Sequence, residues 1–185
     1  MQEPDLQYIP NFIDAKKSDE LFQKFKENIH WNHEQITLFG KKIFEPRLTA
    51  WFGSKSYKYS GKNMQPQSLN SDLEWIIQKI NSDVGLEFNT VLLNYYRNGT
   101  DSMGWHSDDE KELGPSPIIA SISMGAERTI HFRLKENHKI VKKCLLHHGS
   151  LLIMKGNTQL LWQHALPKVK NLEQPRINLT FRKIN

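Results

Sequence analysis

Length, composition and charge narrow the class of protein before any motif is considered. The chain has 185 residues, 38% of them hydrophobic and 24% charged, which predicts a single globular domain over residues 1–185. The longest apolar run, Leu151–Met154, has four residues, whereas a membrane span needs about 18, so we expect no membrane association. The single Cys144 excludes an internal disulfide, and residues 1–5 lack the features of a secretory signal. We expect a cytoplasmic monomer, with the nucleoid or nucleus left open.

Two structural helices are predicted in the first 88 residues. The first has hydrophobic residues at helical spacing, namely Leu21, Phe22, Phe25 and Ile29. Either Asp14 or Ser18 is suited to cap its start. The second helix is better marked, because Ser71–Glu74 has the pattern of a capping box and Gly85 stands near the exit.

The segment Lys41–Lys62, which lies between these helices, combines basic and aromatic residues. Its single acid, Glu45, is outnumbered by Lys41, Lys42, Arg47, Lys55, Lys58 and Lys62. Its aromatic residues are Phe44, Trp51, Phe52, Tyr57 and Tyr59. Cations suit phosphates and flat rings suit bases, so the pattern is compatible with a nucleic-acid partner, while the net charge of +5 is modest. The alternative is a basic edge over ordinary core aromatics.

From residue 89 onward, short apolar runs alternate with turn residues. The predicted strands are Thr90–Tyr96, Ile118–Met124, Arg128–Leu134, Lys143–Leu146, Leu151–Met154, Leu160–Ala165 and Arg176–Ile184. Gly-containing turns separate several of them, as at Gly125-Ala126 and Gly149-Ser150. The pattern predicts an α+β fold in which two antiparallel sheets form a sandwich or jelly roll with helices on one outer face.

Polar side chains recur on one face of two of these strands. Because strand side chains alternate, Arg176, Asn178, Thr180 and Arg182 share a face, opposite Ile177, Leu179 and Phe181. Asn94 and Tyr96 likewise share a face. A solvated sheet surface is one explanation. The other is an anion pocket, because the planar fork of arginine binds a carboxylate through two parallel hydrogen bonds.

A second constellation has the composition of a metal site. His106 and Asp108 lie two residues apart, and His164 comes from a later strand. Two histidines and one carboxylate hold one face of an iron(II) ion and leave the opposite positions open. The His106–Asp108 spacing alone is weak evidence, since it also arises by chance. His164 is preferred as the third ligand over His131, His147 and His148, because it comes shortly before the arginine-bearing strand.

Taken together, these segments resemble the AlkB family of iron(II)/2-oxoglutarate-dependent nucleic-acid demethylases. The resemblance rests on Asn94–Tyr96, His106–Glu110, His164 and Arg176–Arg182, and it extends from about residue 36 to 184. It implies a double-stranded β-helix (jelly roll) with the N-terminal helices packed on one sheet. Residues 1–88 would form a helical region plus a nucleotide-recognition lid, and residues 89–185 the catalytic core.

The resemblance also implies cofactors and the residues that hold them. Iron(II), coordinated by His106, Asp108 and His164, would act with 2-oxoglutarate as co-substrate and with dioxygen. The residues implied to hold 2-oxoglutarate are Asn94, Tyr96, Arg176, Asn178, Thr180 and Arg182. Arg176 would pair with the distal carboxylate, and Arg182 would lie beside the end that chelates iron.

Finally, the resemblance assigns the basic aromatic segment to the substrate, alkylated DNA or RNA. Phe39 would be the wedge of a duplex-opening hairpin, followed by Gly40 and Lys41. A lid containing Tyr57, Lys58 and Tyr59 would cover the flipped base. Tyr59 would stack on one face of that base with His106 against the other, while Tyr57 and Asp109 would touch its edge or backbone. The implied reaction is repair of lesions such as 1-methyladenine and 3-methylcytosine.

Two other functions are compatible with parts of the pattern. A 2-oxoglutarate-dependent hydroxylase of a protein or small molecule would keep the metal ligands and both arginines but would not bind nucleic acid. A jelly-roll binding module that has lost its metal is disfavoured by the complete set of ligands.

Overall fold

The computed structural model describes residues 3–38, 40–53, 57–59, 62–64 and 66–184, without the side chains of residues 37, 38, 41, 57–59 and 62–64. In its first half the elements are β1 (Asp5–Ile9), α1 (Ala15–Asn28), β2 (Gln35–Leu38), β3 (Lys41–Phe44), β4 (Leu48–Gly53), β5 (Tyr57–Tyr59), β6 (Lys62–Met64) and α2 (Ser71–Val84). The second half contains β7 (Thr90–Tyr96), β8 (Met103–His106), a 3₁₀ turn (Lys111–Leu113), β9 (Ile119–Gly125), β10 (Arg128–Leu134), β11 (Val141–Leu146), β12 (Ser150–Lys155), α3 (Thr158–Leu161), β13 (Trp162–Leu166) and β14 (Arg176–Arg182).

Two antiparallel sheets face each other, as predicted. The larger has the strand order β1-β12-β9-β14-β7-β4, and the smaller has the order β11-β10-β13-β8. Apolar side chains from both sheets meet between them, including Trp51, Leu152, Phe132 and Trp162. The α+β jelly-roll prediction is confirmed. The chain segments that the structure describes include no helix with the length and hydropathy needed to cross a bilayer.

The helices α1 and α2 pack on the outer face of the larger sheet. Their apolar stripes contribute to a second core, with Leu21 and Phe25 from α1 and Ile76 and Ile80 from α2 fully or almost fully buried. Burial of these stripes rather than intrinsic propensity holds short helices in place. The predicted position of the helical layer is therefore confirmed.

The helix ends agree with the sequence at all but one of the predicted caps. Asp14 caps α1 by accepting a hydrogen bond from the Lys17 N–H, and Gly85 ends α2 in the left-handed conformation with φ of 70°. At the start of α2 the prediction is wrong by one residue, because Asn70, not Ser71, accepts from the Leu73 N–H. An asparagine is an equally good cap, so the capping-box pattern did not separate the two positions.

Two further predictions need correction. The first two residues of the predicted strand Leu160–Ala165 belong to the helix α3, and its last four belong to β13. The region 1–88, predicted to be helical with a lid, also contains six strands among its described residues, and β1 and β4 form the edges of the larger sheet. The side chains of the edge strand β1 are only partly buried, and a short strand of this kind carries a weak hydrophobic pattern in the sequence.

Gly149 offers a test of how the helical layer is tied to the sheet. It has a φ of +75°, and a Cβ there would collide with the Ile13 carbonyl oxygen, just before α1. We expect Gly149→Ala to lower the free energy of unfolding by about 2–4 kcal/mol, combining backbone strain and overpacking. Urea unfolding provides the measurement.

Gly85→Ala is the matched control, because Gly85 has a φ of +70° but a Cβ there would meet nothing within 4 Å. It should cost only about 1 kcal/mol, from strain alone. Equal losses of unfolding free energy for the two variants would show that the collision with Ile13 does not contribute to the effect.

Candidate active site

A pocket between the two sheets collects the predicted polar face of β14. Arg176, Asn178, Thr180 and Arg182 all line it, whereas Ile177, Leu179 and Phe181 pack under the helices. The neighbouring strand β7 adds Asn94 and Tyr96. All six of these polar residues are buried, so the face is not the solvated surface that the sequence left open as an alternative.

The three predicted metal ligands meet at the mouth of this pocket. His106, the last residue of β8, pairs in register with His164 of β13, and their rings lie 4.2 Å apart. Asp108 follows β8, and its Oδ2 lies 3.5 Å from Nε2 of His164. One candidate ligand atom from each residue falls within 4.8 Å of the other two. This spacing is compatible with all three atoms binding one metal ion.

Hydrogen bonding and burial place His106 and His164 in the state that binds metal. The Nδ1 of His106 lies 2.9 Å from the Gly104 carbonyl oxygen, which accepts its proton and leaves Nε2 with a lone pair. Removal from water lowers the pKa of His106, and burial lowers the pKa of His164 to about 3. Both imidazoles are therefore neutral at physiological pH, as coordination requires.

Asp108 is held in the opposite state. Burial would by itself raise the pKa of its carboxyl, but the charge of Arg182 and the hydrogen bond that Arg182 donates lower this pKa well below the usual range. Arg182 Nη2 donates to Asp108 Oδ1 at 2.5 Å, and the Asp108 N–H donates to Gln159 Oε1 at 2.9 Å. Asp108 is consequently ionised and supplies the negative ligand.

Arg176 presents a different electrostatic situation at the other end of β14. Its side chain is 2% exposed, and its guanidinium lies 5.3 Å from the Tyr96 ring and donates to Ser123 Oγ at 2.9 Å. Burial lowers the pKa of Arg176 to about 10, so it stays charged at neutral pH. Among the described residues no carboxylate pairs with it, and its Nε has no hydrogen-bond partner. A buried cation without a counter-charge is costly, so this end of the pocket is suited to an anion.

The remaining polar residues on the pocket wall are tied to their neighbours. Asn178 Nδ2 donates to Ser121 Oγ at 2.7 Å, while its Oδ1 accepts from Thr180 Oγ1 at 2.9 Å. Asn94 Oδ1 accepts from Arg47 Nε at 2.9 Å. These bonds fix the direction in which each side chain presents its other atoms to the pocket.

Arg47 and Glu45 correct the prediction of a basic aromatic surface. Arg47 Nη2 lies 2.9 Å from Glu45 Oε2, and the residues are only 4% and 8% exposed. Trp51 and Phe52 are core residues, so for them the alternative of a basic edge over core aromatics was right. Phe44, in contrast, is 54% exposed. The segment therefore contributes partly to the buried interior, where Arg47 supports the pocket residue Asn94, and partly to the surface.

The predicted substrate residues lie mostly on two hairpins. Strands β2 and β3 pair as a hairpin whose turn contains Gly40, with φ of 76°, where the sequence placed it. Phe39 lies outside the described residues, as does the side chain of Lys41. Tyr57, Lys58 and Tyr59 form β5, which pairs with β6, but their side chains are likewise outside the described part of the structure. Their roles remain predictions.

Asp109 differs from its neighbour Asp108 in facing water. Its side chain is 60% exposed, and its Oδ2 lies 3.2 Å from Lys135 Nζ. This places a carboxylate at the protein surface, next to the candidate ligand Asp108 in the chain. Contact with a substrate remains its predicted role.

Sequence reasoning missed several residues that shape the site. Gln159 was assigned to no role, and Arg47 was counted only as a surface cation. Ser121 and Ser123, on the inner face of β9, were not singled out. Serines at alternate positions of an otherwise apolar strand were the available signal for the last pair.

Comparisons with known proteins identify the family. The 2OG-Fe(II) oxygenase superfamily matches residues 5–182. Human alpha-ketoglutarate-dependent dioxygenase alkB homolog 3 is 41% identical over 184 residues, covering 95% of this chain and 64% of the relative. Human DNA oxidative demethylase ALKBH2 is 38% identical over 180 residues, covering 91% of this chain and 69% of the relative.

A solved structure, described as the structure of OsALKBH1, shares the fold. It superposes with a TM-score of 0.71 at 15% identity and covers 99% of this chain and 100% of that one. The family match and the two human relatives together span both sheets and every candidate ligand. The chain belongs to the 2OG-Fe(II) oxygenase superfamily, among its AlkB homologues.

Proposed function

We propose that this chain is an iron(II)- and 2-oxoglutarate-dependent dioxygenase that removes alkyl groups from the nitrogens of nucleic-acid bases. One observation carries the proposal: two neutral histidines and an ionised aspartate share a pocket with a buried arginine that lacks a carboxylate partner among the described residues. The site thus matches both a divalent metal and an anion. The names of the relatives, a dioxygenase and a DNA oxidative demethylase, support the reaction class.

The proposed metal ligands are His106, Asp108 and His164. Imidazole nitrogen and carboxylate oxygen in a two-to-one ratio are the donor set of non-haem iron oxygenases, and they leave one face of the ion open. Arg182 orients the carboxylate of Asp108, and the Gly104 carbonyl orients the ring of His106.

The proposed site for 2-oxoglutarate runs along β14. Arg176 would pair with the distal carboxylate, and Arg182 would lie beside the end that chelates iron. Asn94, Tyr96, Asn178 and Thr180 would line the space between them. Bound together, iron, 2-oxoglutarate and dioxygen supply the oxidation by which an N-methyl group leaves as formaldehyde while 2-oxoglutarate becomes succinate and carbon dioxide. The protein's own task is to hold the alkylated base in place and exclude water.

The proposed substrate is an alkylated base in DNA, or in RNA, turned out of its stack. Tyr59 and His106 would hold its two faces, and a cationic alkylated ring would gain about 1 kcal/mol or more from an aromatic face when desolvated. Tyr57, Lys58 and Asp109 would contact its edge or backbone, and the turn of Phe39, Gly40 and Lys41 would enter the duplex. The chain would act as a monomeric single domain.

The proposed activity is tested with a methylated oligonucleotide, iron(II) and 2-oxoglutarate. We expect formaldehyde and succinate in equal amounts from 3-methylcytosine or 1-methyladenine. His106→Ala should lower turnover by more than about a hundredfold, since losing even an outer-shell partner of a metal costs about 10–100-fold. His131→Ala is the control, since His131 is not among the candidate ligands that cluster.

The same assay separates the proposal from its main alternative. Succinate formation that is equally fast with and without methylated oligonucleotide would contradict a nucleic-acid substrate. That result would favour a hydroxylase of a protein or small molecule.

Arg176→Lys tests the proposed anion site. Lysine keeps a charge but cannot form the two-pronged contact, and a charged hydrogen bond contributes about 1.5–3 kcal/mol, so the KM for 2-oxoglutarate should rise about 10–100-fold. Titration of 2-oxoglutarate at saturating oligonucleotide measures this. Arg133→Lys is the control, because Arg133 binds Gln163 and Trp105 rather than the pocket. An unchanged KM for Arg176→Lys would exclude Arg176 from the site.

Phe39→Ala tests the proposed wedge. An apolar side chain that fills the gap left by a flipped base matters only where a partner strand must be opened. We expect turnover to fall on paired methylated DNA and to be preserved on the unpaired strand. The matched control is Phe44→Ala, which removes an exposed phenylalanine from β3. Equal losses on both substrates would contradict a wedge.

A further inference from the structure

The short helix α3 places a buried amide beside the metal site. Gln159 is the second residue of this helix, which joins β12 to β13, and its residue is 1% exposed. Glutamine is mostly found at protein surfaces, and a buried side-chain amide is costly unless its atoms are hydrogen-bonded. The position therefore requires an explanation beyond filling space.

Both ends of the Gln159 amide have partners. Its Oε1 accepts a hydrogen bond of 2.9 Å from the backbone N–H of Asp108, and its Nε2 lies 3.6 Å from Sδ of Met154, a residue that lines the pocket. A backbone N–H can only donate, so the oxygen must face Asp108. The two contacts fix the amide in one orientation.

The helix itself is anchored at several points. Thr158 Oγ1 accepts from the Asp5 N–H at 2.9 Å, which ties α3 to the edge strand β1. Lys135 Nζ donates to the Gln159 carbonyl oxygen at 2.9 Å and pairs with Asp109 at 3.2 Å. These hydrogen bonds fix the position of the Gln159 backbone, from which the side-chain amide extends.

Asp108 needs such support because it lies beyond the end of its strand. The strand β8 ends at His106, so the backbone of Asp108 is outside the ladder that aligns His106 with His164. Ser107 Oγ anchors the intervening residue to the Trp162 carbonyl at 2.9 Å. Among the described residues, Gln159 holds the Asp108 backbone by accepting a hydrogen bond from its N–H, while Arg182 holds the Asp108 carboxylate.

We propose that Gln159 is a positioning residue of the metal site, which acts by holding the Asp108 backbone so that its carboxylate faces both histidines. This inference rests on the proposed function for the identity of the ligands. Gln159 itself touches neither the metal nor the substrate. Its loss should weaken metal binding through a less ordered Asp108, because second-layer partners of metal ligands contribute strongly to affinity.

Three substitutions separate this role from simple packing. Gln159→Met preserves length and approximate volume but removes the acceptor. Gln159→Glu preserves an acceptor oxygen at the same distance from the backbone. Gln163→Met is the matched control, because it removes a glutamine acceptor from β13 whose partner is Arg133, at 2.9 and 2.8 Å, rather than Asp108.

The measurement is the affinity of the full chain for Co(II) alone, by calorimetry and by the visible absorption of the bound ion, without 2-oxoglutarate or nucleic acid. We expect about tenfold weaker binding for Gln159→Met, recovery to within about threefold of wild type for Gln159→Glu, and no change for Gln163→Met. Thermal melting of the metal-free proteins accompanies each titration.

The outcomes are distinguishable. Wild-type affinity in Gln159→Met would overturn the proposal. If Gln159→Met also lowers the melting temperature, the Co(II) affinity of Gln159→Glu separates the two explanations. An affinity close to that of the wild type supports the positioning role, and an affinity as low as that of Gln159→Met overturns it. Failure of the proposed function would appear differently, as a wild-type protein that does not bind one Co(II) or does not lose it in His106→Ala.

Discussion

The site depends on the burial of two arginines between two sheets. A guanidinium removed from water must be compensated, and β14 brings Arg182 and Arg176 to the same pocket wall. Arg182 is compensated from within the chain by Asp108, which stays ionised as a result. For Arg176, the described residues offer a serine hydroxyl and an aromatic ring but no carboxylate. Because of this difference, one end of the strand supports a candidate metal ligand, and the other end is suited to an anion.

The jelly roll positions the remaining residues of the site through the alternating faces of its strands and the register of their pairing. Each central strand of the larger sheet has an apolar face under the helices and a partly polar face toward the pocket. The pairing of β13 with β8 then brings the two histidines to within 4.2 Å, measured between ring centroids. Packing of α1 and α2 stabilises the sheet without touching the site, so structural and chemical demands are met by opposite faces of the same strands.

The residues around His106, His164 and Asp108 set both the protonation states and the positions of these side chains. Burial keeps both imidazoles neutral, and a buried cation keeps the neighbouring carboxylate charged. Groups outside the ligand set then fix geometry: the Gly104 carbonyl for the ring of His106, and Gln159 for the backbone of Asp108. These hydrogen bonds restrict the candidate ligands to one arrangement, which would reduce the cost of ordering them around a metal.

The sequence by itself determined the features that depend on local periodicity and chemistry. Spacing, turn chemistry and resemblance predicted the alternation along Arg176–Arg182, the exit of α2 near Gly85 and the grouping of His164 with His106 and Asp108, because each is set by nearby residues or a specific motif. For the cap of α1 they left two candidates, Asp14 and Ser18. Tertiary structure alone decided that Arg47 and Glu45 are buried beside Asn94, that Leu160 belongs to a helix, and that Gln159 supports Asp108. The contacts of Arg47 with Asn94 and of Gln159 with Asp108 join residues that are 47 and 51 positions apart in the chain, and no local pattern encodes which distant partners the folded sheets bring together.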